Sequence, residues 1–372
     1  MKKFVLIIFG LLFITGCGPV VFGDSQNGVI LTPLVLGDLP SKVIYEDQGQ
    51  VIATDTIKLT FFGDMMLDRN VKKQIDKNGA DWIFQKLYDE TSSTLFTSNI
   101  VHANLEGPFA DKRRSTTKEI AFRFDPALIP TLQKYNFNIF TVANNHSLDM
   151  GSAGLKESAQ NLAAAGIDFY GDGYGISDEA IKIKEINGIK LAFVGLNDTY
   201  FRLENKKIEA IVKKAVEQSD KVIVNIHWGE EYKTISNIRQ RAIAHLMIDA
   251  GADVIIGHHP HVVQEMEIYK NRPIFYSLGN FVFDQYFSKE TQQGLAIELS
   301  FLPVTVSNKE TANSSSLFAH IYFLQSILSQ PQLMTSSISN KFFETWVASS
   351  RLNGYNFDNF NTLTISMLQS DI

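Results

Sequence analysis

The sequence predicts an α/β domain whose chemistry lies at the carboxyl ends of its strands, and three observations support this. Apolar runs of strand length alternate with amphipathic stretches of helical spacing. The runs are apolar nearly throughout, as strands covered on both faces are. Each run ends in a carboxylate, an asparagine or a histidine, and open α/β sheets place their sites outside those strand ends.

The elements follow in order. Residues 57–62 open the body and run into Gly63-Asp64. Residues 100–105 run into Glu106, 137–142 into Asn144-Asn145-His146, and 191–196 into Asn197-Asp198. Residues 222–226 lead to His227, and 254–256 to Gly257-His258-His259-Pro260-His261. Helical spacing marks 126–135, 154–165, 208–217 and 238–250. After Pro273 the pattern changes: 274–278 and 295–301 are strand-like with no helix between them, which predicts antiparallel pairing at a sheet edge. Residues 307–316 are polar and read as a surface loop, while 317–328 and 342–352 fit either helix or strand.

Ahead of this body, Met1-Lys2-Lys3, an apolar run over 4–14 and Thr15-Gly16-Cys17 follow the charged, apolar and small-residue order of an export signal. The run is shorter than the roughly 20 residues that span a bilayer. Its Ile14-Thr15-Gly16-Cys17 ending resembles a lipobox, so cleavage before Cys17 and lipidation of its thiol are expected. The expected product is extracytoplasmic and lipid-anchored to a bacterial membrane. The expected domains are a signal over 1–16, a lipid-anchored spacer over 17–55, a body over 56–305 and a C-terminal extension over 306–372. Cys17 is the single cysteine, which excludes an intrachain disulfide and a thiolate zinc site. A net charge of -6 with no strongly basic stretch argues against nucleic acid as a partner.

The strand-end residues have the chemistry of a metal site. His259 and His261 flank a proline that stiffens the turn, so two imidazoles can face one cation. His227 ends another strand in the same way. Asp64 and Glu106 are carboxylate candidates, although Asp64 also fits a helix N-cap. Asn145 offers an amide oxygen, and both asparagines of the pair also suit a turn. His146 is placed for general acid catalysis, with Asp149 positioned to bond it or to cap the next helix. Mixed oxygen and nitrogen ligands suit manganese, zinc or iron. Lys112, Arg113, Arg114 and Lys118 lie on a loop able to overhang the site, or on an ordinary solvated one.

Taken together, Gly63-Asp64-Met65-Met66-Leu67, Asn104-Leu105-Glu106-Gly107, Ala143 to Gly151, His227-Trp228-Gly229-Glu230-Glu231-Tyr232, Gly257 to Gln264 and Tyr276 to Asp284 resemble the successive motifs of the CapA (PgsA) family. This poly-γ-glutamate capsule synthesis family belongs to the calcineurin-like metallophosphoesterase superfamily. The resemblance covers about residues 57–300. It implies a four-layer α/β/β/α metallophosphoesterase-like sandwich and a role in making or exporting an anionic γ-linked polymer.

By the same resemblance, Asp64, Glu106, Asn145, His227, His259 and His261 are the metal ligands, with His258 competing within its triplet. His146 and Asp149 are the catalytic pair. Asn144, Glu231, His258, Asn280 and Asp284 are expected to orient ligands or hold their loops. Where the wider superfamily has Asp-x-His, this sequence has Asp64-Met65-Met66, so one or two divalent ions are expected. The implied function is a metal-dependent hydrolase acting on a cell-surface polymer or a phosphate ester, beside integral-membrane synthase subunits. The alternatives are a non-catalytic accessory subunit of a polyglutamate synthase and an extracytoplasmic phosphoesterase or nucleotidase.

Overall fold

The computed structural model describes residues 42–47, 50–302, 315–357 and 362–367, with side chains over 56–301 and 317–357. The expected signal, Cys17 and the first part of the spacer lie outside these residues. Within the spacer, Lys42–Asp47 (β1) and Gln50–Asp55 (β2) pair as an antiparallel hairpin.

The first half of the body runs Ile57–Met65 (β3), Arg69–Asn78 (α1), Trp82–Glu90 (α2), Ile100–Leu105 (β4), Ile129–Lys134 (α3), Ile139–Thr141 (β5), Gly151–Ala164 (α4) and Asp168–Tyr170 (β6). The second half runs Ile181–Ile186 (β7), Ile189–Asn197 (β8), Asn205–Val216 (α5), Lys221–His227 (β9), Ile238–Asp249 (α6), Val254–His258 (β10), Met266–Tyr269 (β11) and Arg272–Phe275 (β12). Asn280–Val282 (β13), Gln293–Leu302 (β14), Ser315–Ile327 (β15), Gln330–Leu333 (β16), Ser336–Ser349 (α7) and Thr362–Met367 (β17) complete the described chain.

Two sheets result. One has the order β16-β15-β14-β3-β4-β5-β6, with β13 on β3 and β17 on β15; the other has the order β11-β12-β10-β9-β8-β7. Strands β3 to β6 are mutually parallel, as are β8, β9, β10 and β12. Three apolar layers explain the stacking. Phe61, Ile139 and Leu299 of one sheet meet Phe193, Ile223 and Ile256 of the other. On the far side of the first sheet, Val71, Phe84, Leu132 and Leu162 of α1 to α4 pack on Phe62, Val101 and Phe140. On the far side of the second, Ile208 and Val212 of α5 and Ile243 and Met247 of α6 pack on Val194, Val224 and Ile255. This is a four-layer α/β/β/α sandwich. The inner parallel strands β8, β9 and β10 are covered on both faces, which is why their sequences lack alternation.

The helices end where local chemistry ends them. Helix α6 starts at a capping box in which Asn237 and Gln240 satisfy each other's backbone N–H groups. Helix α5 presents Ile208, Ile211, Val212 and Ala215 as one buried stripe. No helix among the described residues is long and apolar enough to cross a membrane.

One expectation needs correction. Neither segment expected at a sheet edge lies there: 274–278 begins in β12, which pairs in parallel with β10 and antiparallel with β11, and β14 pairs with β3 on one side and β15 on the other. The apolar residues of β15, including Leu317, Ala319, Ile321 and Phe323, enter the layer between the sheets, so burial of the later strand moves the edge outward. Segment 317–328 is thus strand. Residues 342–352 begin within α7, whose Trp346 closes one side of the same layer and donates Nε1–H to the Gln264 carbonyl at 2.8 Å.

Candidate metal centre

The strand register brings the polar ends together. Asp64 lies beside Asn104, and Asn104 beside Thr141. In the facing sheet His227 lies between Asn197 and His258. All of these side chains are buried. Two glycines allow the approach of neighbouring backbone: a Cβ at Gly63 would sit 2.0 Å from the Gly279 carbonyl oxygen, and one at Gly257 would sit 2.0 Å from that of Tyr276.

Asn104 joins candidate ligands from three strand ends. Its Nδ2 lies 2.8 Å from Asp64 Oδ1, 3.1 Å from Glu106 Oε1 and 3.2 Å from His227 Nδ1. Its Oδ1 accepts from Asn144 Nδ2 at 3.0 Å. Asn144 also donates to the Leu105 carbonyl and accepts the His146 backbone N–H, tying the ends of β4 and β5 together. Asp64 reaches across the seam between the sheets: Oδ2 accepts the His259 N–H at 3.3 Å and lies 3.3 Å from His261 Nδ1, while Oδ1 lies 3.4 Å from His258 Nδ1. The N-cap position of α1 belongs to Asp68 instead.

The histidine turn is strained. His259 and His261 adopt φ of 97° and 58°, a region uncommon for side-chain-bearing residues and costly to hold. The turn aims the His261 ring at the donors of the first sheet and leaves the His259 ring 4.7 Å from that of His227. His261 Nδ1 bonds Asn280 Oδ1 at 3.0 Å, and its Nε2 lies 4.0 Å from Glu106 Oε2. His258 turns the other way, with Nε2 3.3 Å from Asn225 Oδ1 in the space between the sheets. His227 Nε2 lies 2.8 Å from Asn145 Oδ1.

These residues fit a divalent cation. Glu106 Oε2 and His259 Nδ1 are buried without a hydrogen-bond partner among the described residues. Such a group costs about 1–3 kcal/mol unless something satisfies it. Donor atoms of Asp64, Glu106 and His261 lie within 4.8 Å of one another, as do those of Glu231, His259 and His261. The 2.8 Å between Asn145 and His227 is near the roughly 3 Å separation of neighbouring ligands that each lie about 2.1 Å from one ion.

The electrostatics agree. Burial works to raise Asp64, but the imidazoles of His258 and His261 outweigh it and hold the carboxyl well below its usual range. Burial, joined by the charge of Asp64, pushes Glu106 well above it. Burial and the neighbouring His259 hold His227 well below the usual histidine value, and burial with His261 brings His259 to about 3. Both rings are therefore neutral near pH 7, the form that binds metal.

His146 stands beside this group. Its Nδ1 lies 2.7 Å from Asp149 Oδ2, which also accepts the Phe122 N–H at 2.7 Å. The His146 ring packs 4.2 Å from that of Phe122, and burial lowers its pKa against the opposing pull of Asp149. Lys118 Nζ donates to Asp149 Oδ1 and to the Asn145 carbonyl, each at 2.6 Å. Of its basic neighbours, Arg113 pairs with Asp68, Arg114 pairs with Glu157, and Lys112 is exposed.

The structure thus gathers Asp64, Glu106, Asn145, His227, His259 and His261 at one seam, with Glu231 on its exposed side and Asn144, His258 and Asn280 bonded behind. Asp284 stands apart, paired with Arg69 and accepting the Asn70 N–H at the start of α1. Sequence reasoning missed Asn104 as a functional residue. The signal was present, because Asn104 precedes Glu106 by two positions and alternate strand residues share a face.

A family model described as "Bacterial capsule synthesis protein PGA_cap" matches residues 58–285, the stretch that contains every donor named above. The PGA biosynthesis protein CapA of Bacillus subtilis (strain 168) is 34% identical over 258 residues, 65% of this chain and 67% of that protein. The capsule biosynthesis protein CapA of Bacillus anthracis is 33% identical over 263 residues, 65% of this chain and 63% of that one. Among solved structures, a novel phosphatase from Mycoplasma pneumoniae shares 15% identity at a TM-score of 0.41, over 76% of this chain and 92% of that chain. On the extent of the family match and the identity to its relatives, the chain belongs to the bacterial capsule synthesis protein PGA_cap family.

Proposed function

We propose that this chain is a lipid-anchored, extracytoplasmic component of poly-γ-glutamate capsule synthesis or export that carries a metal-dependent hydrolase site. The names of its B. subtilis and B. anthracis relatives support the pathway. The lipobox-like ending at Cys17 supports the anchor. One observation carries the hydrolase reading: buried imidazoles and carboxylates from both sheets converge around polar atoms that lack hydrogen-bond partners among the described residues.

A bound divalent cation supplies Lewis acidity toward a phosphoryl or acyl oxygen and makes water more acidic. The donors are Asp64, Glu106, Asn145, His227, His259 and His261. His146 moves the proton: Asp149 accepts its Nδ1–H and fixes the tautomer, so Nε2 takes up the proton that the attacking water releases and passes it to the leaving group. Asp149 is fixed in turn by Lys118 and the Phe122 N–H, so the imidazole keeps one orientation. The substrate is an ester or amide of an anionic envelope polymer, or a phosphate ester.

The full chain, solubilised in detergent, should turn over an aryl phosphate or γ-linked polyglutamate when Mn2+ or Zn2+ is added. His146→Ala should lower that rate by about 100-fold or more, the usual contribution of a positioned general acid. Failure to hydrolyse either substrate with any divalent metal would refute the hydrolase reading and leave an accessory role in the pathway.

A further inference from the structure

Arg69 opens α1 a few residues beyond the end of β3, and its backbone has φ 51°, a left-handed conformation that is costly for a residue with a side chain. Its guanidinium pairs with Asp284, whose other oxygen accepts the Asn70 N–H at 3.1 Å. Its Cζ stands 4.9 Å from the centre of the Phe122 ring and 5.8 Å from that of Phe283. Those two rings line the candidate site: Phe122 lies 4.2 Å from the His146 ring, and Phe283 lies 4.7 Å from that of His261. With 37% of its side chain exposed, Arg69 stands at the rim of the site.

Two observations distinguish it from an arginine that merely ties a helix start to a loop. Asp284 is the one hydrogen-bond partner of the guanidinium among the described residues, which leaves four of its five N–H groups for a ligand. The neighbouring cations are committed: Lys118 serves Asp149 and the Asn145 carbonyl, Arg113 serves Asp68 and the Ala121 carbonyl, and Arg123 serves the Ala110 and Asp111 carbonyls. The charge of Arg69 also reaches over the approach to the histidine turn. Burial raises the hydroxyls of Tyr232 and Tyr286, and Arg69 works against that rise at both; the Tyr232 ring is 6.4 Å from that of His261.

We propose that Arg69 is a specificity-determining residue whose free N–H groups take the carboxylate that flanks the amide lying at the metal donors. In a γ-linked glutamate chain the carbon bonded to each amide nitrogen also carries a free carboxylate, so an oxyanion recurs at a fixed distance from every amide. A guanidinium fork matches that planar group with two parallel hydrogen bonds. Phe122, Phe283 and Asp284 hold the fork in place beforehand, so little side-chain freedom is lost when the ligand arrives. The inference rests on the polyglutamate reading above but does not require turnover.

The test measures binding to the full chain in detergent, with chelator present so that no bond is cut. The probes are a fluorescent γ-linked glutamate oligomer and the same oligomer with its free carboxylates converted to carboxamides. The unmodified chain should bind the acid form at least about 10-fold more tightly, the loss expected when a charge-assisted pair is removed. Arg69→Gln should bind the acid form about 10-fold more weakly than the unmodified chain does and discriminate less between the two. Arg69→Lys should fall in between, because an ammonium keeps the charge but not the fork. Asp284→Asn removes the ion pair and keeps the guanidinium, so it should bind the acid form at least as tightly as the unmodified chain. A loss in Asp284→Asn equal to that in Arg69→Gln would mean that Arg69 only holds the loop, and would overturn the inference. Equal binding of the two oligomers by the unmodified chain would overturn it too, as would undiminished discrimination in Arg69→Gln. Carboxylate-selective binding that depends on Arg69, in a protein that hydrolyses neither substrate, would leave the inference standing and refute the hydrolase reading; turnover of the aryl phosphate without such binding would do the reverse.

Discussion

Replacing Asn104 with alanine should destabilise the metal-free protein by about 3 kcal/mol, because its amide serves acceptors from three strand ends. The 2.8 Å bond to Asp64 has a charged acceptor, and such a bond contributes about 1.5–3 kcal/mol. Nδ2 has only two hydrogens for Asp64, Glu106 and His227, so a single further bond of about 1 kcal/mol is counted. For a domain approaching this size the total corresponds to a fall in Tm of roughly 6–12 °C. The measurement is a thermal melt at pH 7 in chelator, repeated with excess Mn2+. The cation takes over as partner of the carboxylates that Asn104 had satisfied, so Mn2+ should raise the Tm of Asn104→Ala by more than that of the unmodified protein. Asn104→Asp is close in shape but adds a third buried carboxyl, so it should fall further without metal and gain still more with it. A Tm for Asn104→Ala within roughly 2 °C of the original would refute the reasoning, since it would mean that the shared amide holds nothing together.

Two other perturbations test the frame around the site. In Gly257→Ala the new methyl would meet the Tyr276 carbonyl oxygen at 2.0 Å and Trp228 Nε1 at 2.6 Å; the expected cost exceeds about 4 kcal/mol, read as lost soluble yield and Tm, while Gly175→Ala, which meets nothing within 4 Å, should behave as the original. Burial works to raise Glu267, but hydrogen bonds from Tyr276, His245 and Arg351 outweigh it and hold the carboxyl below its usual value of 4.5. A carboxyl that is lower when folded stabilises above its unfolded pKa and loses that contribution as pH falls through the folded value. The Tm gap between the original and Arg351→Met should therefore narrow below about pH 5, and a gap that stays constant from neutral to acid pH would contradict the assignment.

Much of the sandwich was legible because covered strands need largely apolar runs: β8 and β10 have them unbroken over 191–196 and 254–257, and β3, β4 and β9 are interrupted only at Lys58 and Thr60, at His102 and Asn104, and at Asn225. The turn residues were legible for a similar reason, since Gly257 precedes, and Pro260 separates, histidines that an unusual backbone brings together. Strand order was not legible. Segment 295–301 reads as an edge until β15 is seen beside it, because a strand's sequence records that its faces are buried but not which strand buries its flank. The loop cations were equally opaque: Lys112, Arg113, Arg114 and Lys118 look alike in sequence, yet only Lys118 reaches Asp149. Glu231 shows the same limit, for its approach to His259 depends on a main-chain bond between Tyr232 and Pro260, 28 positions apart.

The donors are divided between two sheets that meet through the apolar layer of Phe61, Ile139, Phe193, Ile223 and Ile256. Under the proposed function, a cation gripped from both sides is therefore a gauge of the gap. Removing a methylene from Ile223 leaves every donor in place chemically, yet it lets one rank of ligands settle relative to the other, and metal affinity responds steeply to such shifts. The coupling also runs in reverse. Loading the ion pins the sheets together at their carboxyl ends, so interior amides remote from the ion should exchange with solvent more slowly, and the greasy middle of the molecule becomes part of the instrument that selects the metal.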